Sequence, residues 1–235
     1  MNKITVAILA GLVSGSVGVA NAAAGDSTVS IGYAQIHARG LKKEVNYYRD
    51  FINSEPDIIA DEASQEGVTL PDSDFSAGAD KYKDPKGVNL KYRYEFNDNW
   101  GIIGSFTYAS EKYDGHLDFN YPPGSYSENA KGSIKGNYFG FLAGPSYRIN
   151  DYVSGYAMIG LAHSKIKYSV DHSIKVGGVA ESESYSQNRN KDSFAYGAGL
   201  QFNPFENIAI DVAYEGSGSG DWNTKGFNVG VGYVF

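Results

Sequence analysis

Cysteine is absent from the 235 residues, which excludes a disulfide framework, a thiolate metal site and a cysteine nucleophile. Past residues 4–19 there is no apolar run near the roughly 20 residues that a spanning helix needs, so helical membrane insertion is excluded for the rest of the chain. Cations are outnumbered: 20 Lys and Arg face 27 Asp and Glu, a net charge of −7 that argues against a general nucleic-acid binder. What the chain has instead is 19 tyrosines and 29 glycines. Tyrosine is favoured in strands and at membrane interfaces, and glycine permits tight packing.

The N-terminus supplies the compartment. Lys3 gives a positive start, residues 4–13 are apolar, and Ala20-Asn21-Ala22 is an A-x-A site, with Ala22-Ala23-Ala24 as a second register. Residues 1–22 therefore read as a cleaved secretory signal, leaving 23–235 as the mature protein. An exported chain of this kind is secreted, periplasmic or an outer-membrane barrel.

Residues 226–235 decide among these. Phe227, Val229, Val231, Tyr233 and Phe235 fall on one face of a strand, and Gly226, Asn228, Gly230 and Gly232 on the other. A large apolar face backed by small residues suits a strand with lipid outside and a crowded lumen inside. About ten residues is also the length a tilted strand needs to cross a bilayer. The terminal aromatic with alternating apolar residues before it resembles the C-terminal signal of bacterial outer-membrane barrels. That resemblance makes Phe235 and Tyr233 the expected contact for the barrel-assembly machinery.

Seven more segments carry the same alternation. They begin at residues 27–37, where Val29, Ile31 and Tyr33 share a face, and at Val88, Leu90, Tyr92, Tyr94 and Phe96. Trp100, Ile102, Phe106 and Tyr108 follow, then Phe139, Phe141, Ala143 and Tyr147, then Val153, Ala157, Ile159 and Leu161. Phe194, Tyr196, Leu200 and Phe202 precede Ile208, Ile210, Val212 and Tyr214. Connections alternate long and short, as in an up-and-down barrel with short periplasmic turns and long outer loops. The expected fold is all-β: an eight-stranded antiparallel transmembrane barrel with long extracellular loops at residues 39–86, 113–131 and 168–190. Eight strands enclose an interior that side chains fill, which disfavours a porin. The inward charges Lys91, Arg93, Glu95, Arg148, Asp211 and Glu215 must then pair with one another.

Several blocks resemble the Ail/Lom/OmpX group of enterobacterial outer-membrane proteins. They include Asn89-Leu-Lys-Tyr-Arg-Tyr-Glu95, Gly144-Pro-Ser-Tyr-Arg-Ile-Asn-Asp151 and the run from Ser193 through Gly197-Ala-Gly-Leu-Gln-Phe-Asn-Pro204. The resemblance spans all eight strands. It implies a non-enzymatic barrel whose relatives include adhesion, invasion and serum-resistance factors. The first loop, residues 39–86, is longer than is usual in that group.

Catalytic chemistry finds little support. His163 and Ser164 are neighbours on a strand and point to opposite faces, and His37 and His163 lie on strands across the barrel from each other. Asp72, Asp74 and Asp80 lie at the spacing of a calcium loop, but Gly78 falls one place late and Lys83 stands where the closing Glu belongs. No metal, cofactor or enzymatic activity is expected.

Charge in the first loop is segregated. Every charged residue from 50 to 80 is acidic: Asp50, Glu55, Asp57, Asp61, Glu62, Glu66, Asp72, Asp74 and Asp80. These are the expected ligand contacts. Arg39, Lys42, Lys43, Lys83, Lys86, Lys112, Lys165, Lys167, Arg189 and Lys191 lie nearer the strand ends, where they are expected to meet lipopolysaccharide phosphates. The expected function is adhesion, invasion or capture of a host matrix, cell-surface or complement-regulatory protein through the loops. The alternative is a structural barrel that stabilises the outer membrane and its lipopolysaccharide without a dedicated ligand. A monomer is expected.

If Phe235 is an assembly signal, deleting it lowers the yield of barrel inserted in cells more than it lowers the urea resistance of barrel already formed. Unchanged insertion yield would remove that role.

Overall fold

The computed structural model describes residues 25–121 and 126–235. The expected secretory signal, residues 1–22, lies outside them.

Eight antiparallel strands close into a ring. They are β1 (Ser27–Ala38), β3 (Lys86–Glu95), β4 (Trp100–Tyr121), β5 (Tyr126–Arg148), β6 (Val153–Val176), β7 (Val179–Phe205), β8 (Ile208–Ser217) and β9 (Thr224–Val234). The ring runs β1-β3-β4-β5-β6-β7-β8-β9 and returns to β1. A ninth strand, β2 (Phe75–Ala79), adds to the far end of β4 beyond β3. Closure is completed where β9 meets the start of β1: Phe235 N–H donates to the Ser27 carbonyl at 2.9 Å, and Ser27 N–H donates to the Phe235 carbonyl at 2.8 Å.

The alternation holds around the ring. Phe227, Val229, Val231, Tyr233 and Phe235 face outward and are exposed, while Asn228, Gly232 and Val234 are buried. The outward sets on the other barrel strands likewise face out. Aromatic residues collect at the short-turn end, where Tyr94, Phe96, Trp100, Tyr147, Tyr152, Phe202, Phe205, Tyr233 and Phe235 are all exposed. Such a girdle marks the bilayer interface. Pro204, which has no N–H to give, sits where the β7–β8 register shifts between Phe202 and Phe205.

Five of the six inward charges form ion pairs with one another, while Glu215 is held by neutral donors instead. Lys91 forms an ion pair with Asp211 and donates to Asn228 Oδ1 at 2.5 Å. Tyr156 Oη donates to Asp211 at 2.7 Å. Glu95 pairs with both Arg93 and Arg148. Glu215 accepts from Thr107 at 2.8 Å and from Asn228 at 3.2 Å. The lumen is a polar, packed network.

Two loop expectations are corrected. Residues 113–131 and 168–190 are largely strand: β4 and β5 continue outward to Tyr121 and from Tyr126, and β6 and β7 continue to and from a two-residue turn. That turn is Gly177-Gly178, with φ of 57° and 92°, the left-handed pair that a two-residue hairpin turn requires. Serine, asparagine and lysine occupy much of this region, so apolar alternation fades while the backbone ladder continues.

The first long segment is also structured. It holds a 27-residue helix, α1 (Arg39–Gln65), a single 3-10 turn at Asp72–Asp74, and β2. The sequence marks this segment as a long extracellular loop, and the structure gives that loop a helix of its own.

The lumen pairs yield a stability prediction. Lys91→Met leaves Asp211 buried without its cation and costs about 3–5 kcal/mol. Lys91→Met with Asp211→Leu removes both charges and recovers most of that. Urea midpoints of the micelle-folded protein, read by gel mobility before and after boiling, check it. A double variant as weak as the single would contradict it.

Candidate functional site

The extracellular end is built around α1. Leu41, Val45, Tyr48, Ile52 and Ile59 recur at helical spacing and turn one side of the helix inward. The helix begins without a side-chain cap, but Arg39 N–H donates to the Asn223 carbonyl at 3.1 Å. It ends at Gly67, whose φ of 80° and bond to the Ser64 carbonyl form a left-handed terminus. Pro56, inside the helix, cannot donate to the Ile52 carbonyl, which weakens the middle of the helix.

Leu41 and Val45 are buried with Tyr113, Ile134 and Ile166 in a core separate from the lumen, and Tyr48, Tyr82, Tyr168 and Trp222 pack around it. Glycine makes the space. A methyl group at Gly136 would meet Leu41, and one at Gly115 would meet Tyr48. Ion pairs pin the first turns: Lys43 reaches Asp221 at 2.5 Å and Glu44 reaches Arg189 at 3.3 Å. The Lys43 ammonium holds the exposed Asp221 carboxyl below its ordinary pKa.

A strap between β2 and β3 closes the other side. Asp84 accepts from Gln35 at 3.0 Å and contacts His37 at 2.8 Å, and Tyr82 stacks on Tyr113 with ring centres 5.8 Å apart. Burial alone would raise the Asp84 carboxyl, but the Gln35 and His37 contacts together hold it below the ordinary value. Burial pushes the Tyr82 and Tyr113 hydroxyls up, so both stay neutral donors. Tyr82 donates to the Ala38 carbonyl at 3.4 Å while accepting from the Ala38 N–H at 3.0 Å, and Tyr113 donates to the Lys83 carbonyl. The result is a rigid mount.

The structure distributes the acidic residues unevenly. Asp50, Glu55, Asp57, Asp61 and Glu62 lie along α1, with Glu66 at its end. Asp50 also meets its neighbour Arg49 at 2.8 Å. Asp72 and Asp74 form the 3-10 turn, and Asp74 is buried. Asp80 is bound to the Asp114 backbone, accepting from its N–H at 3.0 Å. The helix therefore carries most of the accessible negative charge of this segment.

The basic residues split into two groups. Register places Lys112, Lys135 and Lys167 directly across from one another on β4, β5 and β6. One pair of residues nearer the membrane, Lys86, Ser110, Asn137 and Lys165 form the adjacent row on the same outer wall. Like charges opposed across strands repel unless an anion lies between them. Lys112 already holds Asp114 at 2.6 Å. Just below, Tyr108, Phe139 and His163 make the next row. Arg39, Lys42, Lys43 and Lys83 instead sit at the foot of α1 and on the strap, while Arg189 and Lys191 occupy the opposite face of the sheet, Arg189 against Glu44.

Three of the histidines have a carboxylate partner: His37 with Asp84, His163 with Asp192 at 2.6 Å and His172 with Glu128 at 2.6 Å. His163 also lies against Phe139 and away from Ser164.

Neither α1 nor the outward-facing lysine row is apparent from charge counting. The helical spacing of Leu41, Val45, Tyr48 and Ile52 is the signal for the first. For the second, the signal is the strand parity shared by Lys165 and Lys167, and it requires the register to align Lys112 and Lys135 with them.

Known proteins resemble this arrangement. The family model described as enterobacterial Ail/Lom protein matches residues 59–235. The attachment invasion locus protein of Yersinia enterocolitica is 37% identical over 214 residues, covering 91% of this chain and 88% of that protein. The outer membrane protein lom of Escherichia phage lambda is 39% identical over 181 residues, covering 71% and 81%. The crystal structure of Ail from Yersinia pestis in complex with the heparin analogue sucrose octasulfate is 34% identical, covers 90% of this chain and 99% of its own, and has a TM-score of 0.53.

The mount can be tested apart from the barrel. Leu41→Ala removes a buried side chain and costs about 2–5 kcal/mol locally. Limited proteolysis should then cut within α1 faster, while gel mobility before boiling stays that of the folded barrel. Equal cleavage rates would mean that Leu41 does not hold the helix.

Proposed function

The chain belongs to the Ail/Lom family of enterobacterial outer-membrane proteins, and from that premise we propose that it is an attachment protein acting through its extracellular end. One observation carries the reading: a 27-residue helix is packed and ion-paired onto the barrel mouth with its acidic side chains turned to solvent. Binding surfaces are carried by segments that a rigid scaffold positions, and this helix is such a segment. Asp50, Glu55, Asp57, Asp61 and Glu62 are its polar contacts, with Glu66 and Asp72 beyond. Their partner is a basic region of a host matrix, cell-surface or complement-regulatory protein.

The cations serve a second contact. Lys86, Lys112, Lys165 and Lys167, together with Lys135, lie on the outer wall just above aromatic residues, where lipopolysaccharide phosphates would relieve their mutual repulsion. This contact holds the barrel in its lipid and supports the membrane-stabilising role as a companion to adhesion. The related Ail of Yersinia pestis is crystallised in complex with the heparin analogue sucrose octasulfate. Arg39, Lys42, Lys43, Lys83, Arg189 and Lys191 act at the mouth, where Lys43 and Arg189 secure the helix.

No catalytic residue is assigned, because the paired histidines serve as structural contacts. The closed ring leaves no edge within the membrane that needs a second copy, which supports a monomer. Tyr233 and Phe235, stacked with ring centres 6.4 Å apart and exposed to lipid, are the proposed contact for the assembly machinery. Residues 1–22 are proposed as its export signal.

Expression on a non-adherent bacterium tests the reading. Wild type should adhere to cultured epithelial cells, and adhesion should fall as salt rises, since the Debye length shrinks to about 3 Å at 1 M. The combined variant Asp50→Asn, Glu55→Gln, Asp57→Asn, Asp61→Asn and Glu62→Gln should adhere several-fold less, with little salt response. Adhesion equal to wild type would move the contact off α1, and a non-adherent wild type would end the proposal.

A further inference from the structure

Helix α1 has two large-residue faces, and only one is covered. About a third of a turn round the helix from the buried Leu41, Val45 and Ile52, Tyr47 is 74% exposed, Phe51 48% and Ile58 46%. At 3.6 residues per turn these three fall within about 40° of one another and run for about 16 Å. Single exposed apolar residues are ordinary, but three in line on one helix are a surface.

The spacing is that of a coiled-coil seam. With Phe51 and Ile58 at a, positions Tyr47 and Ser54 fall at d. The flanking g positions are then Asp50 and Asp57, and the e positions are Glu55 and Glu62 after Tyr48, which belongs to the mount. The exposed face is thus an apolar ridge between two acidic rails. In coiled coils the residues at e and g choose the partner by charge, while a and d supply the burial.

The rails exclude most occupants. Lipopolysaccharide, nucleic acid and sulfated polysaccharide are anionic and would be repelled by four carboxylates along the ridge. A cationic polypeptide is attracted, and the heptad spacing calls for a helix. Resting on the adhesion reading above, we propose that the exposed face of α1 docks a cationic amphipathic helix, with apolar residues at its a and d positions and Lys or Arg at e and g. Charge would govern how fast it arrives, and burial of Tyr47, Phe51 and Ile58 how long it stays. The buried half of α1 keeps its own packing throughout, so docking needs no rearrangement of the mount.

The probe is a synthetic helical peptide with Leu at a and d and Lys at e and g, beside a scrambled peptide of the same composition. Full-length mature protein in phosphatidylcholine nanodiscs, which lack anionic lipid, is titrated with each. The helical peptide should bind. Tyr47→Ser with Phe51→Ser and Ile58→Ser should weaken it about tenfold or more while leaving the salt dependence. Asp50→Asn with Glu55→Gln, Asp57→Asn and Glu62→Gln should slow association and flatten the salt dependence. Should the serine variant loosen α1, the second variant still decides, since it keeps every apolar side chain. Equal binding of the scrambled peptide, or wild-type affinity in the serine variant, overturns the proposal. Cell adhesion separates the two levels, using a deletion of residues 51–79, which spares all eight barrel strands. A serine variant that adheres like wild type, with the deletion non-adherent, overturns the helix docking and leaves the adhesion reading standing. A deletion that adheres like wild type overturns that reading itself.

Discussion

Inside hydrocarbon there is no water to accept or donate, so every backbone N–H and C=O of a spanning strand must find a partner in the protein. The ring of eight strands meets this demand only because β1 closes on β9. The last bonds of that closure run between Phe235 and Ser27. Once the ring is shut, the inside and outside of each strand are assigned. Large apolar side chains go to lipid, and whatever polar groups remain are confined to a narrow lumen. Those groups then have to satisfy each other, and the Lys91–Asp211 and Glu95–Arg93–Arg148 contacts are how they do so.

Beyond the membrane the same ladders continue under looser rules. β4 to β7 run far past the length a bilayer requires, with serine and asparagine on the outer wall where isoleucine and phenylalanine stood lower down. Water now satisfies the outer face, so the sheet no longer has to close. Its inner face becomes a platform, and the glycines at 115, 132 and 136 let Leu41 and Tyr48 seat on it. A helix inserted between two barrel strands is thereby held as firmly as a core element, without any change to the membrane part.

Charge is layered along the same axis. The lumen holds balanced, buried pairs; the outer wall above the aromatic residues holds opposed lysines; and the solvent side of α1 holds carboxylates. Each layer fits the medium it meets. Buried charge has to be neutralised internally. Lysines opposed across strands favour an external anion, and an acidic helix surface favours cationic partners.

Period-two alternation in residues such as Val88 to Phe96 and Phe227 to Phe235 was enough to read the barrel, its strand count in the membrane and which charges face inward, though Glu215 finds neutral donors and not a cation. Lipid imposes that pattern on each strand locally, so it survives in the one-dimensional chain. The extracellular end was not legible in the same way. Residues 113–131 and 168–190 are strands held in register by their hairpin neighbours. Tyr113, Leu117, Phe119 and Tyr121, and Tyr168, Val170, Ile174 and Val176, do share a strand face, but the intervening glycines and polar residues interrupt the pattern, and residues 179–190 are largely polar on both faces. Helix α1 is amphipathic with a proline inside it, and its acidic residues mask the spacing of Leu41, Val45, Tyr48 and Ile52. The lysine row exists only after register aligns Lys112, Lys135 and Lys167 from three strands. By itself the sequence determined what must face lipid, because each residue answers to that solvent alone. Tertiary structure decided what meets the outside world, because those surfaces are assembled from segments far apart in the chain that only strand pairing and helix packing bring together.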